Sequence, residues 1–282
     1  MTLGMFSMAA HLVPMMRGLA LGCAIGLSAM AGATTAQGQT LPTVKALPGG
    51  TPASAIFIGN SFFYYNNGIH NQVGALLRSA EPKRPFRTTM ATISGSGIDW
   101  HDVDSYFRPN AIGRYSFVGD NQLEFNKLDR LFDIAIIMDC SQCPVHPELG
   151  KVFTEFVGRH AASVRKHGAE PVLFMSWAYA DKPEMTATLA EAYTRAGNQH
   201  NALVIPAGLA FARSIAKRPD LNLYAPDKRH PSALGTYLAA ATVYAALTGK
   251  SPAGLAHTAG IDPSVAAFLR GIAGETVAEY RK

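Results

Sequence analysis

A serine, an aspartate and a histidine set the chemical question in this sequence. Ser61 stands in "IFIGNSFFYYNN", just after a short apolar run that breaks at Gly59. Asp227 and His230 stand three residues apart in "APDKRHPSALGTYLAAA", just ahead of a helical pattern. Alone, Ser61 says little, because small polar residues end strands everywhere. Together the three residue types suit acyl transfer. A serine hydroxyl needs a base, and imidazole titrates close enough to neutrality to serve. The imidazole in turn needs a carboxylate on its other nitrogen, which fixes the tautomer and stabilises the imidazolium. An Asp three residues before a His, in one turn, can reach Nδ1 while Nε2 points outward. The competing reading of Asp227 is an Asx-turn residue in a Pro-flanked loop. Ser232 reads as the N-cap of the helix that follows.

A developing oxyanion needs two or three donors. The N–H of Ser61, the N–H of Gly95 in "ISGSGIDWH" and the side-chain amide of Gln142 in "MDCSQCP" are the candidates. Gly97 and Ser141 are alternatives within the same two blocks. Asn60, Trp100 and Trp177 are candidate substrate contacts, the two indoles as platforms for a sugar ring or walls of an acyl pocket.

Such residues work only if the fold brings them to one place. Short apolar runs at Ala55–Ile58, Thr88–Ile93, Ile134–Met138, Val172–Met175 and Leu203–Ile205 alternate with amphipathic stretches, and two helices close the chain at about 232–248 and 263–280. Near-continuous apolar runs suit parallel strands covered on both faces. The alternation predicts an α/β fold, a three-layer α/β/α sandwich on one parallel five-stranded sheet. Ligands in such sheets bind beyond the carboxyl ends of the strands, where Ser61, Gly95, Gln142 and Trp177 all fall. The long connection from Asp99 to Asp133 carries Trp100, Tyr106, Phe107, Tyr115, Phe117 and Phe125 among its aromatic residues, as a lid would, or as a satellite cluster packed on the sheet would.

The order of these blocks resembles that of the SGNH (GDSL-type) hydrolases: an early G-[DN]-S block, a Gly block after the second strand, an amide block after the third, and D-x-x-H near the end. The resemblance runs from Ile56 to about Pro252. It implies a flavodoxin-like sandwich with Ser61 as nucleophile, His230 as base and Asp227 as its partner. It also implies an oxyanion hole made by the Ser61 N–H, Gly95 and the amide-block residue. The chain departs from the family pattern in Asn60, where many members carry Asp, in Phe62-Phe63, and in the amide block, which lacks Gly-x-Asn-Asp. The expected activity is hydrolysis of an ester, such as a short acyl (acetyl) group on a carbohydrate, through an acyl-serine, with no metal or organic cofactor. Acyl transfer to another alcohol by the same triad is the alternative enzyme. A carbohydrate-binding protein that keeps the fold without catalysis is the alternative of another class.

Bulk composition narrows the field. Of the 282 residues 48% are hydrophobic and 16% charged, enough for a full core and against disorder. The net charge of +5 is scattered in pairs such as Lys217-Arg218 and Lys228-Arg229, which argues against a nucleic-acid groove. At the N-terminus Arg17 precedes the apolar run from Gly18 to Ala33, with A-x-A-like sites after it. That pattern predicts a signal peptide over residues 1–36, a linker over 37–53, and an exported, periplasmic or extracellular domain over 54–282. The run is short and Gly/Ala-rich for a membrane span. In an oxidising compartment Cys140 and Cys143 could form a local disulfide or remain thiols. Pro144 and Pro147 interrupt the long helix that a thioredoxin-like C-x-x-C would open. His160, His167 and His200 read as exposed helix residues and His70 as facing outward. His101, among Asp99, Asp102 and Asp104, lacks a second cluster with metal-ligand spacing.

Overall fold

In the computed structural model the described residues are 40–108, 115–125, 128 and 130–282, so the expected signal segment lies outside them. Five short strands form the central sheet: β1 (Ser54–Gly59), β2 (Arg87–Thr92), β5 (Ile134–Ile137), β6 (Glu170–Phe174) and β7 (Leu203–Ile205). All pair in parallel, in the order β2-β1-β5-β6-β7. β1 and β5 are buried along their whole length, which is why their sequences are unbroken apolar runs rather than alternating ones. The helices are α1 (Ser61–Tyr64), α2 (Ile69–Ala80), α3 (Val103–Tyr106), α4 (Leu149–Lys166), α5 (Met185–Gln199), α6 (Ala207–Lys217), α7 (Ala233–Thr248) and α8 (Pro263–Tyr280). On one side α2 packs against α7, which is backed by α8 and flanked by α6; α4 and α5 pack against β6 and the loop after β5. The result is the three-layer α/β/α sandwich that the strand–helix alternation predicts.

Helix α7 is buried from Gly235 to Leu247, so its Ala-rich sequence carries no amphipathic stripe. Ser232 caps it by accepting from the Gly235 N–H at 3.2 Å, and Gly249 ends it in the left-handed conformation. Residues 40–53, read as a linker, lie along the domain. Thr43 N–H donates to Asn198 Oδ1 at 2.8 Å, Leu47 is buried, and Ala53 N–H donates to Asp133 at 2.6 Å.

The long aromatic connection contains a hairpin absent from the sequence reading: β3 (Tyr115–Gly119) and β4 (Gln122–Phe125), antiparallel. Asp120 and Asn121 both have positive φ, as a two-residue hairpin turn requires. Tyr115, Phe117 and Phe125 are exposed, whereas Phe107 is buried edge-on to Phe132. The aromatics thus divide between packing and exposure.

The order β2-β1-β5 means that the chain leaves β1 toward one edge and later fills the other side from β5 onward. The reversal falls between β1 and β5, the switch point at whose carboxyl ends open parallel sheets bind ligands. Ser61 follows β1 and Gln142 follows β5, so both residues lie at that end of the sheet.

Candidate active site

Helix α1 begins where β1 ends. Asn60, extended at φ −136°, caps it by accepting from the Phe62 N–H at 3.2 Å, and so turns the chain sharply at Ser61. Ser61 Oγ lies 2.7 Å from His230 Nε2, although the two residues are 169 positions apart. On the other side His230 Nδ1 lies 2.5 Å from Asp227 Oδ2. An ionised carboxylate only accepts hydrogen bonds, so Nδ1 carries the proton and Nε2 presents its lone pair to Ser61.

The loop around His230 is held from several directions. Asp227 Oδ1 accepts from the N–H groups of Arg229 and His230, each at 3.0 Å. Ala225 N–H donates to His230 O at 2.8 Å, and Ala180 N–H to Lys228 O at 3.0 Å. Trp177 Nε1 donates to Arg229 O at 2.9 Å. The His230 ring itself stacks on Tyr65, with centroids 4.1 Å apart, and meets the edge of Phe62 at 5.2 Å. Burial works against the Asp227 charge, but the hydrogen bonds from His230 and from the two N–H groups outweigh it and hold the carboxyl below its ordinary range. Asp227 is therefore ionised wherever the imidazole could need it.

Gly95 sits in a turn closed by Ser96 N–H donating to Ile93 O at 3.2 Å. Its φ of +71° suits position i+2 of a type II turn, and a Cβ there would meet nothing within 4 Å. Among the described residues, the N–H groups of Ser61 and Gly95 find no acceptor, as free oxyanion donors would. Gln142 is exposed and its side chain makes no hydrogen bond among the described residues, whereas Ser141 Oγ is engaged by Tyr179 OH at 2.6 Å. Of the two amide-block alternatives, Gln142 is the one whose side chain has no hydrogen-bond partner among the described residues; either oxygen can be the donor in the Ser141–Tyr179 bond.

Solved structures share this architecture. A DUF4886 family protein from Bacteroides uniformis is 19% identical, with a TM-score of 0.57 over 81% of this chain and 96% of its own. A protein from Slackia heliotrinireducens assigned to the SGNH hydrolases is 20% identical, with a TM-score of 0.51 over 68% of this chain and 97% of its own. The fold is that of the SGNH hydrolases. A catalytic mutant of an acetylxylan esterase from Geobacillus stearothermophilus shares it at 16% identity, with a TM-score of 0.50 over 69% of this chain and 93% of its own. No protein-family model and no curated protein matches the chain.

Within the SGNH fold the Asn60 departure has a structural cause. Asn60 is 4% exposed, and its Nδ2 donates to Ser96 O at 3.1 Å and to Asp139 O at 3.2 Å. One amide thus ties the turns after β1, β2 and β5 together, a role for a donor that Asp cannot fill. Asn60 is buried scaffolding, not the substrate contact expected from its place beside Ser61. Asn60→Asp should lower stability by about 1–3 kcal/mol, since two buried carbonyls lose their donor and meet a carboxylate. Urea unfolding midpoints test this, and an unchanged midpoint would remove the role assigned to Nδ2.

Trp177 is likewise fully buried, stacked between Phe62 and Phe211 at 4.9 and 4.2 Å. It supports the His230 loop and cannot touch a substrate directly. Trp100 is 60% exposed and is the one indole open to solvent among the described residues. Sequence reasoning missed Tyr65 and Tyr179. Tyr65 lies four residues after Ser61, one helical turn on, and that spacing was the available signal.

The histidines also differ from expectation. His160 is buried, with Nε2 2.9 Å from Ile98 O, while His70, His167 and His200 are half-buried. His101 is 3% exposed and meets Gly59 O, Ser96 Oγ and Tyr106 OH at 3.0–3.1 Å, locking the Gly95 turn against the end of β1. Burial lowers its pKa from 6.5 to about 4, against a smaller opposing pull from the bond to Gly59 O. Between those values the unfolded imidazole binds a proton that the folded one refuses, so stability should fall as pH drops through that window. Asp139, raised by burial from 3.8 to about 6, works with the opposite sign: its folded form binds the extra proton, and stability rises as pH drops. His101→Gln should therefore flatten the acid-side fall in Tm. An identical Tm–pH curve in the variant would mean that His101 keeps its ordinary affinity for protons in the fold.

Proposed function

We propose that the chain is an exported serine esterase with Ser61 as nucleophile, His230 as base and Asp227 as its orienting partner. The observation that carries this reading is the continuous chain from Ser61 Oγ to His230 Nε2 and from His230 Nδ1 to Asp227, set at the switch point of the sheet. In the forward step His230 takes the Ser61 proton as Oγ attacks the ester carbonyl. The oxyanion is met by the N–H groups of Ser61 and Gly95, with the Gln142 amide as third donor; each such donor contributes roughly 2.7–4 kcal/mol of transition-state stabilisation. His230 then gives its proton to the leaving alcohol, leaving an acyl-Ser61 ester. Water, activated by the same imidazole, releases the acid and restores the serine.

A short acyl group on a carbohydrate is the substrate class we favour. The likeness in fold to an acetylxylan esterase supports it, and so does Trp100, exposed in the short 3-10 turn after the Gly95 loop. Export is supported by the N-terminal charge and apolar pattern and by the Cys140–Cys143 disulfide, which suits an oxidising compartment. The test is labelling with a fluorophosphonate probe, followed by assays on acetylated sugars, p-nitrophenyl esters and lipid esters. The wild type should label at Ser61 and favour acetylated sugars. Equal labelling of Ser61→Ala would defeat the esterase reading, and a preference for lipid esters would defeat the substrate class alone.

A further inference from the structure

The loop after β5 holds groups that ester hydrolysis does not use. Asp139 is 2% exposed. Its Oδ1 accepts from the N–H groups of Ile98 and Cys140, each at 2.7 Å, while its buried Oδ2 has no hydrogen-bond partner. Cys140 and Cys143 are joined in a disulfide, and a carboxylate oxygen of Asp139 and the two sulfurs all lie within 4.8 Å of one another.

The two cysteines are not equivalent. Cys140 is half-buried, and its Sγ receives the Cys143 N–H at 3.0 Å, a contact that favours negative charge on that sulfur. Cys143 is 8% exposed and is packed into the 3-10 turn Cys143–Val145. Cys140 is thus the residue placed to meet a reagent and to hold charge, and Cys143 is the more shielded one; the buried Asp139 carboxyl lies within 4.8 Å of both sulfurs, so it can serve whichever of them leaves. A buried carboxylate with an empty oxygen is costly as an anion. Burial, with a smaller push from Asp99, raises the Asp139 pKa to about 6, so the group can hold or release a proton near neutrality. The titratable groups around it are Asp99 from the turn after β2, Tyr193 from α5, whose OH lies 3.4 Å from the Asp139 N, and the cysteine pair. His160 from α4 reaches the same turn through Ile98 O.

We propose that Asp139, Cys140 and Cys143 form a thiol–disulfide exchange centre whose substrate is a small external thiol or dithiol. Cys140 is the sulfur that meets the thiol, and Asp139 exchanges the proton of Cys143. In the reductive direction an external thiolate attacks Cys140 Sγ. A bond forms between the two, the Cys140–Cys143 bond breaks, and its electron pair leaves on Cys143 Sγ. The Asp139 carboxyl protonates that sulfur and becomes a carboxylate. A second thiolate attacks the external sulfur of the mixed disulfide, releasing the oxidised external disulfide and a Cys140 thiolate. Two external thiols are oxidised and one protein disulfide is reduced. The oxidative direction reverses each step, with Asp139 taking the Cys143 proton.

The experiment follows reduction of the folded, full chain by dithiothreitol from pH 5 to 8, counting free thiols, in wild type and Asp139→Asn. The asparagine keeps an acceptor for the Ile98 and Cys140 N–H groups but cannot give up a proton to a thiolate on that oxygen. The wild-type disulfide should be reduced without unfolding. Asp139→Asn should slow reduction by about tenfold or more at pH 6 and below, once the ionisation of the reagent is allowed for. Single-cysteine variants give an independent reading with oxidised glutathione: Cys143→Ser should form a mixed disulfide at Cys140, and Cys140→Ser should stay unmodified at Cys143. A disulfide that resists reduction until the protein unfolds would overturn the proposal, as would superimposable pH profiles or preferential modification of Cys143. Thiol counts do not depend on Ser61, so failure here leaves the esterase reading untouched, and the reverse also holds.

Discussion

His230→Ala should lower kcat for p-nitrophenyl acetate by on the order of 10⁴- to 10⁶-fold with little change in KM, because the imidazole acts on the reacting atoms rather than on the bound ester. Ser61→Ala should cost as much, and the double variant no more than either single one, since a nucleophile without its base and a base without its nucleophile are equally idle. Asp227→Asn should cost about 10⁴-fold through the tautomer: an amide that donates toward Nδ1 drives the imidazole proton to Nε2, where Ser61 needs a lone pair. The short contacts at both ring nitrogens, 2.7 Å to Ser61 and 2.5 Å to Asp227, make these three losses one event and not three additive ones. Additive losses in the double variant, or activity retained by His230→Ala in a folded protein, would show that the three residues do not act as a unit. The Tm of each variant should be measured alongside, because the His230 ring also packs between Tyr65 and Phe62.

How far these residues could be read from sequence depends on what kind of information fixed them. Strands such as Ala55–Ile58 and Ile134–Ile137 were legible because burial on both faces writes itself as uninterrupted apolar runs, whereas the edge strand β2 buries only Ala91 and carries no such run. The Asp227-x-x-His230 pair was legible because its geometry is local: residues three apart in one turn bring carboxylate within reach of imidazole. The reach from His230 to Ser61 followed only once a parallel sheet was assumed to gather strand ends at one edge. What stayed hidden is non-local. Asn60 looked like a substrate contact because its neighbour is Ser61, yet its amide is spent on Ser96 O and Asp139 O, residues on two other loops. Asp139 drew no notice inside "MDCSQCP", because burial of its carboxyl depends on α5 and on the turn at Ile98. His160 lies on the same face of α4 as the buried Phe153, Val157 and Val164, so helical spacing did signal its burial; what stayed hidden was the partner of its ring, Ile98 O on another turn. The hairpin at 115–125 was missed because its apolar residues alternate over too few positions to stand out from a loop rich in aromatics.

Trp177→Ala should destabilise the domain by about 3–5 kcal/mol, a large share of the 5–15 kcal/mol that holds a typical domain together. The indole is fully buried and lies flat between Phe62 and Phe211, within 4° of both planes, so its removal opens a cavity that two rigid rings cannot close. A fall in the urea midpoint at constant m measures this loss. Stability alone, however, would not separate a core residue from one that places His230. Trp177→Phe makes that separation. It keeps an aromatic in the stack, so most of the packing survives, but it removes the donor to Arg229 O. That carbonyl belongs to the residue just before His230, and the bond crosses from the segment after β6 to the His230 loop. With the bond gone, His230 keeps its partner Asp227 but loses one anchor that sets its distance from Ser61. We expect Trp177→Phe to lower kcat by roughly tenfold to a hundredfold while KM and the folded state at 25 °C are retained, the pattern of a misplaced base rather than a lost substrate contact. Full activity in a folded Trp177→Phe would mean that Tyr65, Phe62 and the Ala225–His230 and Ala180–Lys228 backbone bonds are enough to hold the imidazole in place.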